Sequence, residues 1–227
     1  MHIEPGVVTG AKILLSYGTA VGALGLTSRM ALETLRHDGG AVALLGRSVI
    51  TTLLVFCFFQ ILPHQPVGVS EVHLILGSTL FLMFGAGPAA IGLALGLLLQ
   101  GLLFAPFDLP QYGMNVTTLL VPLWGLRLLA ARLIPAHTRY VDVTYRQALA
   151  LSSAYQGGIV AWVTFWALYG EGFTAETLVG VGTFGMAYMS VILLEPLIDL
   201  GVLAGAKSLS HVTHHPLFTR RLRQAAL

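Results

Sequence analysis

The chain opens on Met1, His2, Ile3, Glu4, Pro5 and Gly6, and a histidine in second position has a coordination chemistry of its own. A free α-amine on Met1, the amide nitrogen of His2 and the Nδ1 ring nitrogen of His2 form fused chelate rings on one metal. That supplies three nitrogens in one plane. A fourth completes a square-planar site, the geometry that suits Ni(II) and Cu(II) and that can be imposed on Co(II). The amide must lose its proton, so the metal has to be a strong Lewis acid; Mg and Ca prefer oxygen ligands. The amine must be free, so the chemistry expects a deformylated Met1 that is kept, His being too large at position two for the usual trimming. No Lys or Arg precedes Lys12, and Glu4 stands in the polar head, so the opening does not read as a signal peptide and is expected to be retained. The plain alternative is a polar histidine at a frayed terminus.

A fourth nitrogen has two candidates nearby in the predicted topology, His64 in "LPHQPVG" and His73 in "VSEVHLILGST". His73 is preferred, because it opens the third apolar segment, and an ionisable residue at membrane depth is a functional hypothesis by default. The alternative for His73 is a helix-start histidine bonded to a loop carbonyl. Asn115 has an amide suited to fixing the His73 ring, as groups behind a metal ligand do. It could equally cap the fifth helix.

These residues need elements to carry them. Of the 227 residues 56% are hydrophobic and 10% charged, against about 25% charged in a soluble domain. The depletion runs along the whole chain, which predicts an all-α integral membrane protein with several spans. The net charge of +2 is too small to point to nucleic acid. The lone Cys57 excludes a disulfide framework and reads as a small core residue. Seven helical spans are expected at roughly 8–28, 41–62, 73–85, 88–106, 113–134, 147–169 and 177–206. The third is short, and "GAGPAA" at Gly85–Ala90 joins it to the fourth by a very tight connection. The apolar runs are far longer than the strands of an outer-membrane barrel.

The basic residues sort to one side of this arrangement: Arg29, Arg36, Arg132, Arg139, Arg146, Lys207, Arg220, Arg221 and Arg223. The other side receives Glu4, Glu71, Asp108, Glu171 and Glu176, together with His2, His64 and His73. The asymmetry predicts an amino terminus outside, folded into the bundle, and a cytoplasmic carboxyl terminus. An acidic, histidine-bearing entry side suits a cation. One membrane domain is expected over 1–227: a metal-binding segment 1–7, a bundle 8–206 and a basic tail 207–227. The tail, with His211, His214 and His215 beside its arginines, reads as a headgroup anchor, or as a contact for metal or a cytoplasmic ATPase. The pairs Gly18/Gly22, Gly92/Gly96 and Gly201/Gly205 have the spacing of close helix packing, either internal or against a partner subunit. Gln100 is expected to bond across helices. Glu195 and Asp199 share a helix face and are expected to pair with Arg47 or Arg127, with a proton or metal relay as the other reading. No GxxxxGK[ST] phosphate loop and no HExxH occurs, so the chain is not expected to be an ATPase by that route or a zinc protease.

Taken together, these residues resemble the CbiM/NikM proteins, the substrate-specific membrane components of energy-coupling-factor transporters for cobalt and nickel. The likeness rests on "MHIxxG" at the start and on His73 followed by Gly77 and Ser78. It continues in "LLLQGLLFAPFDLPQYGMNVTTLLVPL", with Gln100, Gly113 and Asn115, and in Glu195 of the last span. The resemblance implies that Met1 (amine), His2 (amide and ring) and His73 hold Co2+ or Ni2+ as the transported substrate. It implies a membrane coupling subunit, two cytoplasmic ATPase subunits, a small extra membrane subunit, and residence in the inner membrane of a prokaryote. The metal would then serve cobalamin synthesis or a nickel enzyme. The chain departs from the family pattern in having "HLILG" for the usual His-Pro-Thr-Gly, Glu4 one position early with Pro5 after it, and Pro106-Phe107 in place of a histidine. A membrane scaffold or membrane enzyme with structural histidines is the alternative class.

Overall fold

The computed structural model describes residues 3–135 and 138–208. Met1, His2 and the tail with His211, His214 and His215 lie outside the described residues. Seven α-helices lie among the described residues: α1 Ile13–His37, α2 Gly40–Gln60, α3 Gly77–Phe84, α4 Ala86–Leu103, α5 Tyr112–Leu133, α6 Tyr145–Glu171 and α7 Ala175–Ser208. Among the described residues, five stretches are long and apolar enough to cross a membrane: α2, α4, α5 with the turn before it, α6 and α7. The first helix is also long, at 25 residues, but carries Arg29, Glu33 and Arg36. It therefore runs nine residues past the expected end at 28, from 29 to His37.

The third segment departs most from expectation. Only eight residues, Gly77–Phe84, are helical. Before them come two short strands, β1 Gln65–Val67 and β2 Ser70–Val72, paired antiparallel with Pro66 opposite Glu71. Gly68 turns the hairpin with φ +62, which a side-chain-bearing residue rarely adopts. His73 thus lies in the chain between β2 and α3 and does not open a helix. A single residue, Gly85 at φ +92, separates α3 from α4, as the Gly-Pro punctuation predicts.

Packing follows the small residues. In α4 a Cβ on Gly92 would collide with Thr51, and one on Gly96 with Val55, so this pair seats α4 on α2. Thr51 Oγ1 adds a bond to the Pro88 carbonyl at 2.7 Å. Gly18, Gly22, Gly201 and Gly205 face open space. Cys57 is partly exposed on α2 and not in the core.

The α1–α2 end of the bundle is closed by ion pairs. Arg47, fully buried, donates to Asp38 at 2.7 Å. Arg127 makes a two-pronged contact with Glu33 at 2.7 and 2.8 Å, and Arg29 approaches the same carboxylate at 3.9 Å. Both guanidinium groups also lie over Trp124, at 4.8 and 5.6 Å from its centroid. These partners replace the expected pairing of Arg47 and Arg127 with Glu195 and Asp199.

Candidate metal centre

The amino-terminal segment is bound into the opposite end through its backbone. Ile3 forms an antiparallel bridge with Ser70, and Glu4 N–H donates to the Val69 carbonyl at 3.2 Å. β2 is thereby flanked by β1 on one edge and by Ile3 on the other. The Ile3 N–H donates to Asn115 Oδ1 at 2.8 Å, and Ile3 is completely buried. A turn closed by Val7 N–H on the Glu4 carbonyl then drives Val7 and Val8 into the core. Gly170 near the end of α6 packs directly beneath, and a Cβ there would collide with the Val7 carbonyl. Lys12 Nζ completes the closure on the Gly170 carbonyl at 2.8 Å.

His73 is 1% exposed and hemmed in on three sides. Its Nε2 meets Glu71 Oε2 at 2.8 Å. A carboxylate accepts, so Nε2 is the ring nitrogen that donates to it. A metal-binding histidine is commonly oriented in this way, with its second nitrogen donating to a carboxylate. His64 stacks on the ring at 5.0 Å and 5° between planes, while Phe59 lies tilted at 5.3 Å. His64 Nδ1 is itself tied to the Leu62 carbonyl at 3.1 Å. Glu4, Glu71 and Asp108 lie near enough to repel one another. Burial, and then Glu71, raise the Glu4 carboxyl above its ordinary range. The surroundings of His73 are therefore acidic. Among the described residues, no cluster of three or more His, Cys, Asp or Glu side chains can hold a metal.

A family model described as "Cobalt uptake substrate-specific transmembrane region" matches residues 2–211. The chain belongs to this family, CbiM. It is a metal-transporter component and a multi-pass membrane protein. Two solved structures share its fold. One, described as a transition metal transporter, is 17% identical with a TM-score of 0.67, covering 93% of this chain and 94% of that one. The other, described as a truncated transition metal transporter, is 16% identical with a TM-score of 0.64, covering 95% and 100%. No curated protein matches.

Three polar groups of this CbiM-family chain take partners that the sequence did not disclose. Asn115 lies inside α5 and is neither its cap nor seen on the His73 ring; its oxygen holds the amide of Ile3. Among the described residues, Glu195 pairs with no cation. It accepts from the backbone amides of Ile75 and Leu76 (2.9 Å to the latter) and from Gln156 Nε2. Gln156 is fixed in turn by Tyr188 Oη, which donates to Gln156 Oε1 at 2.8 Å. Asp199 accepts from the hydroxyls of Ser78 and Thr79. Both carboxylates gather at the start of α3, the end of a helix that favours negative charge. Gln100 is buried, and its Oε1 has no hydrogen-bond partner among the described residues, so the expected bond across helices is not made through that atom.

Proposed function

We propose that the chain captures one Co(II) or Ni(II) ion from outside the cell, using the Met1 amine, the amide and ring of His2, and His73, for ATP-driven import. The observation that carries this reading is the hold on Ile3, between Asn115 Oδ1 at 2.8 Å and the bridge to Ser70. It fixes the chain next to His2 against the strand that leads to His73. Consecutive Cα atoms are about 3.8 Å apart, so the covalent chain keeps His2 beside Ile3. The carboxylate behind His73 supports the same reading, since a metal-binding histidine is commonly oriented by such a contact. So does the lack of a side-chain cage among the described residues, which agrees with ligands drawn from terminal and backbone nitrogens.

Four planar nitrogens suit Ni(II) by intrinsic preference and accept Co(II) where the protein imposes the geometry. The amino-terminal end faces outward in this proposal, in the inner membrane of a prokaryote. The chain has no phosphate loop, so two cytoplasmic ATPase subunits, a membrane coupling subunit and a small extra membrane subunit supply the energy and its transmission. Titration of the purified full chain with Co(II) and Ni(II) tests the site. Both His2→Ala and His73→Ala are expected to abolish tight binding of either metal. Parent-like binding by either variant would place the site elsewhere and favour a structural role for the histidines.

A further inference from the structure

The contacts of the Glu195 cluster converge on the chain that carries one of the proposed ligands. Ile75 and Leu76, whose amides Glu195 holds, are two and three residues from His73. Leu76 has φ +53 and is the one non-glycine residue with positive φ among the described residues. A bulky side chain avoids that region unless the surroundings over-determine it, and such residues gather at functional sites. Here the left-handed turn converts the stretch from His73 to Ile75 into α3. The carboxylate supplies the acceptor that makes the turn hold.

The clamp is complete on its far side too. Tyr188 orients Gln156, Gln156 occupies Glu195 Oε2, and Glu195 Oε1 takes both amides. Tyr188, Gln156, Glu195 and Ile75 are all fully buried. An oxygen set so occupied has little room for a passing cation, which argues against the relay reading. Gly77 lies so close to Tyr155 that a Cβ would collide with its ring, so the start of α3 is also wedged against α6.

We propose that Glu195 is a positioning residue for the metal site: by clamping the amides of Ile75 and Leu76 it sets where the His73 imidazole stands. This rests on the reading of His73 as a ligand. Ligand geometry must be held to within about 0.5 Å to be productive. β2 and Glu71 fix His73 from the amino-terminal side, and the clamp fixes it from the other.

The test compares Glu195→Asp with Glu195→Gln in the full chain, by metal titration and by the Co(II) ligand-field spectrum. Asp keeps the charge but withdraws the carboxylate by about one carbon–carbon bond, 1.5 Å. Gln keeps the length, and its oxygen can still accept both amides while Gln156 turns over against Tyr188, whose hydroxyl can donate or accept. Glu195→Asp is expected to weaken Co(II) binding about 10–100-fold, the range for groups behind a metal ligand. Its spectrum is expected to shift toward that of His73→Ala. Glu195→Gln is expected to stay near the parent, and Arg127→Ala, at the other end of the bundle, to leave both readouts unchanged. If Glu195→Asp does not fold, Tyr188→Phe loosens the same chain from further away and should give a smaller shift of the same kind. Loss of binding in His73→Ala with parent-like affinity and spectrum in Glu195→Asp or Tyr188→Phe would overturn the positioning role alone. Weakened binding with an unchanged spectrum of the bound metal would overturn it as well, leaving only general stability. Parent-like binding by His73→Ala would instead remove the reading on which it rests.

Discussion

At one end of the bundle, charge meets charge. Arg47 pairs with Asp38, and Arg127 with Glu33, with Trp124 beneath two guanidinium groups. At the other end, Ile3, Ser70 and Glu4 are joined through backbone N–H and carbonyl groups, and Asn115 supplies the one side-chain hold on Ile3. In the first arrangement Arg47 is buried, but the Arg127–Glu33 pair tolerates motion, because a salt bridge between partly exposed groups keeps most of its modest value as the side chains shift. The second does not, since a buried N–H must find an acceptor at the right distance and angle or lose its bond. The contrast teaches where this molecule has spent its positional accuracy: on the main chain around His73 and on the residues next to His2.

The strongest way to break the comparison is to lengthen the amino terminus. One residue added before Met1 turns the proposed amine ligand into an amide and is expected to abolish metal uptake by cells. A carboxyl-terminal tag of equal size should leave it intact. Equal uptake from both would show that the amine is not a ligand. A smaller effect is expected from Asn115→Ala, which strips the acceptor from a buried N–H and costs about 1–3 kcal/mol. Metal affinity should fall with it, and hydrogen exchange at residues 3–8 should accelerate, while Asn115→Asp, which keeps an acceptor oxygen, should recover much of both. The same affinity in parent and Asn115→Ala would separate the hold on Ile3 from the metal site. The smallest effect sharpens the comparison from the other end. Arg127 and Glu33 are 27% and 39% exposed, so Arg127→Ala should lower stability by about 1 kcal/mol or less. Thermal unfolding measures that loss, and Co(II) affinity should not move.

The helices were legible because lipid demands long apolar runs and the chain provides them; the Gly85 joint was legible because Gly and Pro punctuate so strongly. The extension of α1 through Arg29 and Glu33 was not, since hydropathy counts charges without knowing that Arg127 and Trp124 come from another helix to receive them. The hairpin escaped for a different reason. Three-residue strands containing Pro66 show no alternation long enough to read, and the other edge of β2 is met by Ile3, more than sixty residues away along the chain. At the candidate site, the importance of His73 could be argued from residue type and place. The partners of Asn115 and Glu195 could not, because all but Gln156 are backbone amides, which every residue but proline carries and no motif marks.

The way the first residues are fastened has a consequence for how such a chain can vary. From Ile3 to Lys12 the holds fall at fixed intervals: an amide on Asn115, a bridge to Ser70, a turn over Gly170, an ammonium on the Gly170 carbonyl. Most of these grip the main chain and are indifferent to the side chain attached. The stretch works as a ruler. Substitutions at the exposed positions Pro5, Thr9 and Ala11 should drift freely under selection, whereas gaining or losing a single residue would put every mark out of step and turn the strand edge over. Relatives aligned over this stretch should therefore differ in spelling and agree in count.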